Sequence, residues 1–162
     1  MSTSKKKHII LMLPDIRSEH NIGAMFRTAD ALGISEIILT GHSPLPIDRF
    51  GRKNSGLTKA SLGAEESVLW RFVKSAPREI SALKKKGFYI IAIEQGKDSA
   101  DYKKVKLPKK DTVFILGNEV RGLSRNILKY ADKVAQIPMR GQKESLNVSV
   151  AMGVALFRIL NI

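Results

Sequence analysis

Three short stretches, far apart in the chain, carry side chains with little use in ordinary packing. The first, Asn21 to Ala29, holds Asn21, Gly23 and Arg27. The second, Leu116 to Ser124, holds Gly117, Asn118, Glu119, Arg121 and Gly122. In the third, Met139 to Met152, Ser145, Asn147 and Ser149 interrupt an otherwise apolar run. A buried amide or hydroxyl left without a partner costs roughly 1–3 kcal/mol, so these polar groups demand partners, from the protein backbone or from a ligand. The segment Gly117 to Gly122 directly follows a strong strand, where parallel sheets bind ligands, and glycine lets the backbone approach a ligand closely.

Several other chemistries are excluded. There is no Gly-x-Ser-x-Gly elbow, and His8, His20 and His42 have neither metal-ligand spacing nor a carboxylate at His-Glu-x-x-His spacing, so no metal is expected. Gly51 to Thr58 nearly matches a phosphate-binding loop, but Leu57 stands where the lysine is required. The same stretch, with Arg49, Arg52, Lys53 and Asn54, suits RNA phosphates or a flexible nucleotide, or is a solvated loop; the residue pattern leaves both open.

The 28 Lys and Arg exceed the 15 Asp and Glu to give a net charge of +13, and the pI is near 10.1. That surplus points to a polyanionic partner, and on charge alone RNA, DNA and acidic membranes remain open. The basic residues recur along the whole chain, which fits a folded basic surface better than a disordered arm. Cysteine is absent, which excludes disulfides and thiolate metal sites and fits a reducing cytosol. No apolar stretch approaches the roughly 18–20 residues that span a bilayer. Ile9 to Leu13 ends too soon, at Pro14 and Asp15, for a signal peptide. A soluble, cytoplasmic protein of one domain is expected over 1–162, with a flexible basic arm at 1–7 and no separate RNA-binding domain.

The elements that must position these groups follow from periodicity. Runs at Ile9 to Leu13, Glu36 to Leu39, Tyr89 to Ile93, Val113 to Leu116 and Val134 to Ile137 alternate with helical patterns, which predicts an α/β fold with a mostly parallel sheet flanked by helices. One helix places Ile22, Met25, Phe26, Ala29 and Leu32 on its apolar face, with Asn21 as N-cap, Gly33 as stop and Arg27 off that face. A second opens at Ser75 and Pro77 and closes at Gly87. The last begins at Ser145 or Asn147 and is apolar on nearly every side, so it must be enclosed by its own sheet or by a second subunit. Gly41 to Phe50 is too irregular for a regular element and long enough for a functional loop.

In order and spacing, the three stretches together resemble the SpoU (TrmH) family of SPOUT-class RNA methyltransferases. The matching positions are Asn21, Gly23, Arg27 and Ala29; then Leu116 to Glu119 with Gly122 to Ser124; then Ile137 to Met139 and Ser145 to Ser149, with Lys59 to Ala64 resembling a small-residue segment between the first two. The resemblance runs from about Ile9 to Leu160. It implies a C-terminal trefoil knot, against the general expectation for protein chains, together with a homodimer and bound S-adenosyl-L-methionine.

The implied reaction is methyl transfer to a ribose 2′-hydroxyl of structured RNA, with tRNA slightly favoured over rRNA because the chain is short. A sulfonium donor already carries a good leaving group, so the protein must mainly exclude water, align attack and make the hydroxyl nucleophilic. By motif position, Gly117, Ile137 and Leu146 line the cofactor pocket, with Met139, Gly141 and Ser145 also on the cofactor side. The resemblance further implies that Arg27 activates the 2′-oxygen, that Asn21 orients the nucleotide or Arg27, that Glu119 holds the arginine or a partner-chain group, and that Asn147 anchors substrate or cofactor. Arg49, Arg52, Lys53 and Arg121 are the candidate RNA-binding residues. A free guanidinium has a pKa above about 12, so literal proton abstraction near pH 7 would require a shift worth about 7 kcal/mol; stabilisation of the developing oxyanion is the better role. The alternative is a catalytically silent RNA-binding module of the same fold.

Overall fold

A computed structural model describes residues 7–162; all but Lys7 of the expected N-terminal arm lies outside them. The elements are β1 (Ile9–Pro14), α1 (Glu19–Leu32), β2 (Glu36–Thr40), α2 (Ser55–Ser61), α3 (Ala64–Ser67), β3 (Trp70–Val73), α4 (Ala76–Lys85), β4 (Tyr89–Ile93), β5 (Ala100–Asp101), β6 (Thr112–Leu116), α5 (Arg125–Leu128), β7 (Lys133–Gln136) and α6 (Val148–Leu160). The strands form one seven-stranded sheet in the order β3-β2-β1-β6-β4-β7-β5, and every neighbouring pair is parallel.

A parallel sheet needs cover on both faces, so its central strands are apolar without alternation. β1 is buried along its whole length. Its Leu11 and Leu13 join Phe26 and Met25 of α1 and Met152 and Leu156 of α6 in one core. Ile10 and Met12 join Ile80 and Leu83 of α4 and Ile127 of α5 in the other. Each predicted strand is present; β3 and β5, which were not predicted, close the two edges. Their shortness and mixed polarity explain the omission: in β3, Arg71 pairs with Glu36 and Glu79 across the edge.

Gly33 ends α1 in the left-handed conformation, as expected, at φ 64°. The start differs from expectation. Ser18, not Asn21, is the N-cap, its hydroxyl accepting from the Asn21 N–H at 3.1 Å. Both residue types cap well; the earlier start frees the Asn21 side chain for other partners. Gly23 permits a close helix contact: a Cβ there would stand 2.3 Å from the Leu57 carbonyl oxygen and 2.7 Å from the Ala60 Cβ of α2. The small-residue segment around Lys59 to Ala64 therefore serves to let α2 lie against α1.

The last helix is enclosed on one side only. Val148, Met152, Ala155, Leu156 and Ile159 are buried, while Val150, Val154 and Phe157 remain 50%, 39% and 38% exposed on the opposite face. No helix among the described residues is long and apolar enough to cross a membrane.

Candidate active site

The C-terminal ends of β1, β4, β6 and β7 point to one edge of the sheet, where the segments after them meet. The segment after β6 turns back on itself: the Gly122 N–H donates to the Asn118 carbonyl at 2.9 Å, and the Asn118 side-chain oxygen accepts from the N–H groups of Val120 and Arg121 at 2.9 Å each. The Asn118 amide donates to the Asp15 carbonyl at 2.8 Å, fastening the turn to the end of β1. Glycine is needed here for space. A Cβ on Gly117 would stand 2.7 Å from the Gly122 carbonyl group, and one on Gly122, which has φ 65°, would meet the Glu94 carboxylate.

This turn delivers Glu119 to the N-terminus of α1. Its carboxylate accepts from the N–H groups of Arg17 and Ser18, both at 3.2 Å, and from the Asn21 side-chain amide at 3.1 Å. Burial pushes the carboxyl pKa up. Its own backbone N–H, the Asn21 amide and the Arg17 and Ser18 N–H groups outweigh that and hold it below the ordinary carboxylate value. The Asn21 oxygen in turn accepts from the Asn147 amide at 3.1 Å. Asn147 caps α6, its own oxygen accepting from the Ser149 N–H at 2.9 Å and the Ser149 hydroxyl at 2.7 Å. Glu119, Asn21 and Asn147 thus form one hydrogen-bonded chain joining all three sequence stretches, and Asn21 at its centre is only 6% exposed.

Beside this chain lies a cleft of about 270 Å³, just below the usual ~300–1,000 Å³ of ligand pockets. Its apolar wall is made by Ile93, Leu116, Ile137, Leu146, Val148 and Ala151; its polar wall includes Glu94, Gln95, Asn118, Glu119, Ser145 and Asn147. Glu94 accepts from the Leu123 N–H at 2.8 Å and the Gln95 N–H at 2.9 Å, and Gln95 donates to the Ile137 carbonyl at 2.8 Å. These two residues brace the loops after β6 and β7 against each other. Neither was expected from the sequence; their position immediately after β4, a strand of the predicted parallel sheet, was the available signal.

The sequence pattern of the SpoU rRNA Methylase family matches residues 8–157. The chain belongs to that family. It is 33% identical over 153 residues to the tRNA (guanosine(18)-2′-O)-methyltransferase of Aquifex aeolicus, covering 94% of this chain and 69% of the relative. It superimposes with a TM-score of 0.84 on the crystal structure of an AdoMet-bound rRNA methyltransferase from Sinorhizobium meliloti, at 26% identity, covering 95% of this chain and 56% of that one. A solved structure concerned with 2-OH methylation of C/U34 on tRNA matches with a TM-score of 0.76 at 27% identity, covering 96% and 99%. Curated relatives are mostly longer, this chain spanning between 56% and 69% of them.

The SpoU positions are divided by the structure. Gly117, Ile137, Ser145 and Leu146 line the cleft, as do Glu119 and Asn147. Met139 and Gly141 lie in the same loop but do not line it, because the chain leaves the sheet edge at Ile137 and returns only at Glu144. Arg27 is exposed on the outer face of α1 and makes no side-chain hydrogen bond or ion pair among the described residues. Glu119 therefore holds Asn21 and the start of α1 rather than this chain's own Arg27. Arg121 is exposed on the turn after β6. Arg52 and Lys53 are exposed but engaged, with Asp48 at 2.7 Å and Glu66 at 2.6 Å, so RNA phosphates would have to exchange with carboxylates there. The Walker-like stretch is no phosphate loop: Asn54 caps α2, accepting from the Leu57 N–H at 3.1 Å, and a Cβ on Gly56 would meet the Glu19 carboxylate.

Proposed function

We propose that the protein methylates a ribose 2′-hydroxyl in structured RNA, using S-adenosyl-L-methionine and working as a homodimer in the cytoplasm. The observation that carries this reading is the Glu119–Asn21–Asn147 chain beside the cleft, because it gathers polar groups of three distant stretches where a ligand can lie. The AdoMet-bound neighbour and the tRNA and rRNA methyltransferase relatives support the same reading. Among RNA substrates, tRNA is favoured, in keeping with the tRNA-directed neighbour whose length this chain nearly matches.

The cleft suits the cofactor on its donor set. The apolar wall of Ile137, Leu146 and Val148 would take a purine ring, and Gly117 and Gly122 let the turn after β6 fold tightly enough to form the facing wall. Glu94 and Glu119 give the site negative charge in a strongly basic protein, which favours a cationic sulfonium. S-adenosyl-L-methionine supplies an electrophilic methyl with a neutral thioether as its leaving group. The protein has then to place the 2′-oxygen in line and to stabilise its developing negative charge.

Arg27 is the group proposed for that stabilisation, through charge-assisted hydrogen bonds. It stands six residues beyond Asn21, about 9 Å along the helix, and faces away from its own sheet. A second copy packed on this side would receive it. α1 and α6 run side by side here, Thr28 lying 3.9 Å from where a Gly153 Cβ would stand, and the exposed Val150, Val154 and Phe157 of α6 supply the apolar contact such a dimer requires. The proposed trefoil knot belongs to the same reading: the loops after β6 and β7, which strand order brings to either side of β4, would be the threaded ones.

The decisive experiment is mass-spectrometric mapping of ribose methylation in RNA from cells with and without the gene. A 2′-O-methyl mark lost with the gene and restored by purified protein plus S-adenosyl-L-methionine is expected; no lost mark refutes the assignment. Arg27→Ala should abolish transfer while calorimetric affinity for S-adenosyl-L-methionine stays within a few fold, and an active variant would remove Arg27 from its role. A silent RNA-binding module would instead bind RNA without turnover.

A further inference from the structure

Outside the cleft, the loop between β2 and α2 presents an arrangement that packing does not explain. Phe50 is 67% exposed at the tip of a turn. The Arg49 guanidinium lies 4.7 Å from its ring centroid and that of Arg52 lies 5.1 Å from it. A single exposed aromatic is ordinary; one with two guanidiniums held against its ring is not.

The rigidity comes from Asp48. Its side chain accepts from the N–H groups of Phe50 and Arg52 at 2.8 and 2.9 Å and from the Arg52 guanidinium at 2.7 Å. The Gly51 N–H donates to the Asp48 carbonyl at 3.0 Å, and an antiparallel bridge joins Ile47 to Lys53 below the tip. Asp48 therefore fixes both the turn and the Arg52 plane. Arg49 has no carboxylate partner among the described residues, and its charge remains available to a polyanion.

The location is also informative. The Asn54 amide donates to the Glu19 carboxylate at 3.1 Å, tying the base of this loop to the first residue of α1. The next residue back, Ser18, donates its N–H to Glu119, which lines the cleft. The loop and the cleft thus flank the same helix N-terminus from two sides.

We propose that Phe50, with Arg49 and Arg52, is a stacking platform for an unpaired base of the substrate RNA near the nucleotide being methylated. This rests on the RNA methyltransferase reading and adds to it a preference for loops or single strands over continuous duplex. Every base has a face that stacks on an aromatic ring or a guanidinium plane; Arg52, kept in place by Asp48, offers its plane, and the Arg49 charge holds an adjoining phosphate. A paired base inside a duplex offers no such face.

The test uses the full-length protein with two RNA probes, a stem closed by an unpaired loop and a continuous duplex of equal charge, with affinities read by fluorescence anisotropy. Phe50→Ala should weaken the stem-loop complex about 5- to 150-fold, the loss of one base stack, and leave the duplex complex and S-adenosyl-L-methionine affinity unchanged. Phe50→Trp should restore stem-loop binding. A 2-aminopurine in the loop should be quenched on binding by the wild type and less so by Phe50→Leu, a variant that keeps an apolar side chain should Phe50→Ala fail to fold. Equal stem-loop affinity for wild type and Phe50→Ala overturns the platform, as does equal weakening of both RNAs. A change of oligomeric state in Phe50→Ala would assign this face to contacts between copies and overturn it too. If the wild type methylates stem-loop RNA while Phe50→Ala is indistinguishable from it, only the platform fails; if the wild type neither binds nor methylates RNA, the methyltransferase reading fails first.

Discussion

Asn21→Asp replaces the central amide of the site by a group of the same shape, and its consequence can be worked from the geometry. One oxygen of the introduced carboxylate would still accept from the Asn147 amide, but the atom now facing Glu119 at about 3.1 Å would be a second carboxylate oxygen instead of a donor. At an effective dielectric constant of about 20, two unit charges at that separation repel by about 5 kcal/mol. Binding a proton at pH 7 to a carboxyl of ordinary pKa near 3.9 costs about 4 kcal/mol. Protonation is the cheaper course, so one of the two carboxyls would be protonated and would donate to the other. The folded-state pKa of the pair is then raised above its unfolded value, the folded protein binds more protons, and stability falls as pH rises. We expect a loss of about 4 kcal/mol at pH 7 and only about 1.5 kcal/mol at pH 5. In urea, with a slope near 2 kcal/mol/M, the unfolding midpoint should drop by about 2 M at pH 7 and by less than 1 M at pH 5. The wild type should behave in the opposite sense. Its Glu119 pKa is lowered, so that residue's contribution is present above the unfolded carboxylate pKa and lost as pH falls through the folded one. Asn21→Ala should cost roughly 1–3 kcal/mol with no recovery in acid. An equal midpoint drop for Asn21→Asp at both pH values, or none, would refute the hydrogen-bonded chain.

Gly117→Ala should push the Gly122 backbone away and weaken S-adenosyl-L-methionine binding more than stability, since the clash lies on the cleft itself; calorimetry and thermal melts distinguish the two, and unchanged affinity would contradict the close approach. Gly23→Ala sets a Cβ against the α2 backbone and should cost about 1–3 kcal/mol as overpacking, a fall of several degrees in Tm, with affinity for the cofactor kept by the fraction that folds. Val154→Glu places a charge in the exposed apolar stripe of α6 and should give a folded monomer by light scattering, without methyl transfer; a dimer that survives this change would place the interface elsewhere.

Much of the fold was legible because it is written in local periodicity. The apolar runs of β1, β4 and β6 and the stop at Gly33 depend on neighbours a few residues away, and each appears where the sequence puts it. The members of the polar site were legible from motif order, and six of those expected, Gly117, Glu119, Ile137, Ser145, Leu146 and Asn147, do line the cleft. The capping of α1 was not. Ser18 and Asn21 are comparable caps by type, and the choice between them is bound up with Glu119, which lies 98 residues from Asn21.

By itself, then, the sequence determined the alternation of strands and helices, the family, and the residue types available for chemistry, because these follow from short-range pattern and ordered motifs. Only the tertiary structure decided that Asn21 joins Glu119 to Asn147, the latter 126 residues away, that Glu94 and Gln95 brace the cleft, and that Arg27 faces outward beside an uncovered apolar stripe. Such pairings depend on which strand lies next to which. A chain pattern cannot specify them, because hydrogen bonds across the sheet edge are made by whichever donor and acceptor the packed core brings within about 3 Å.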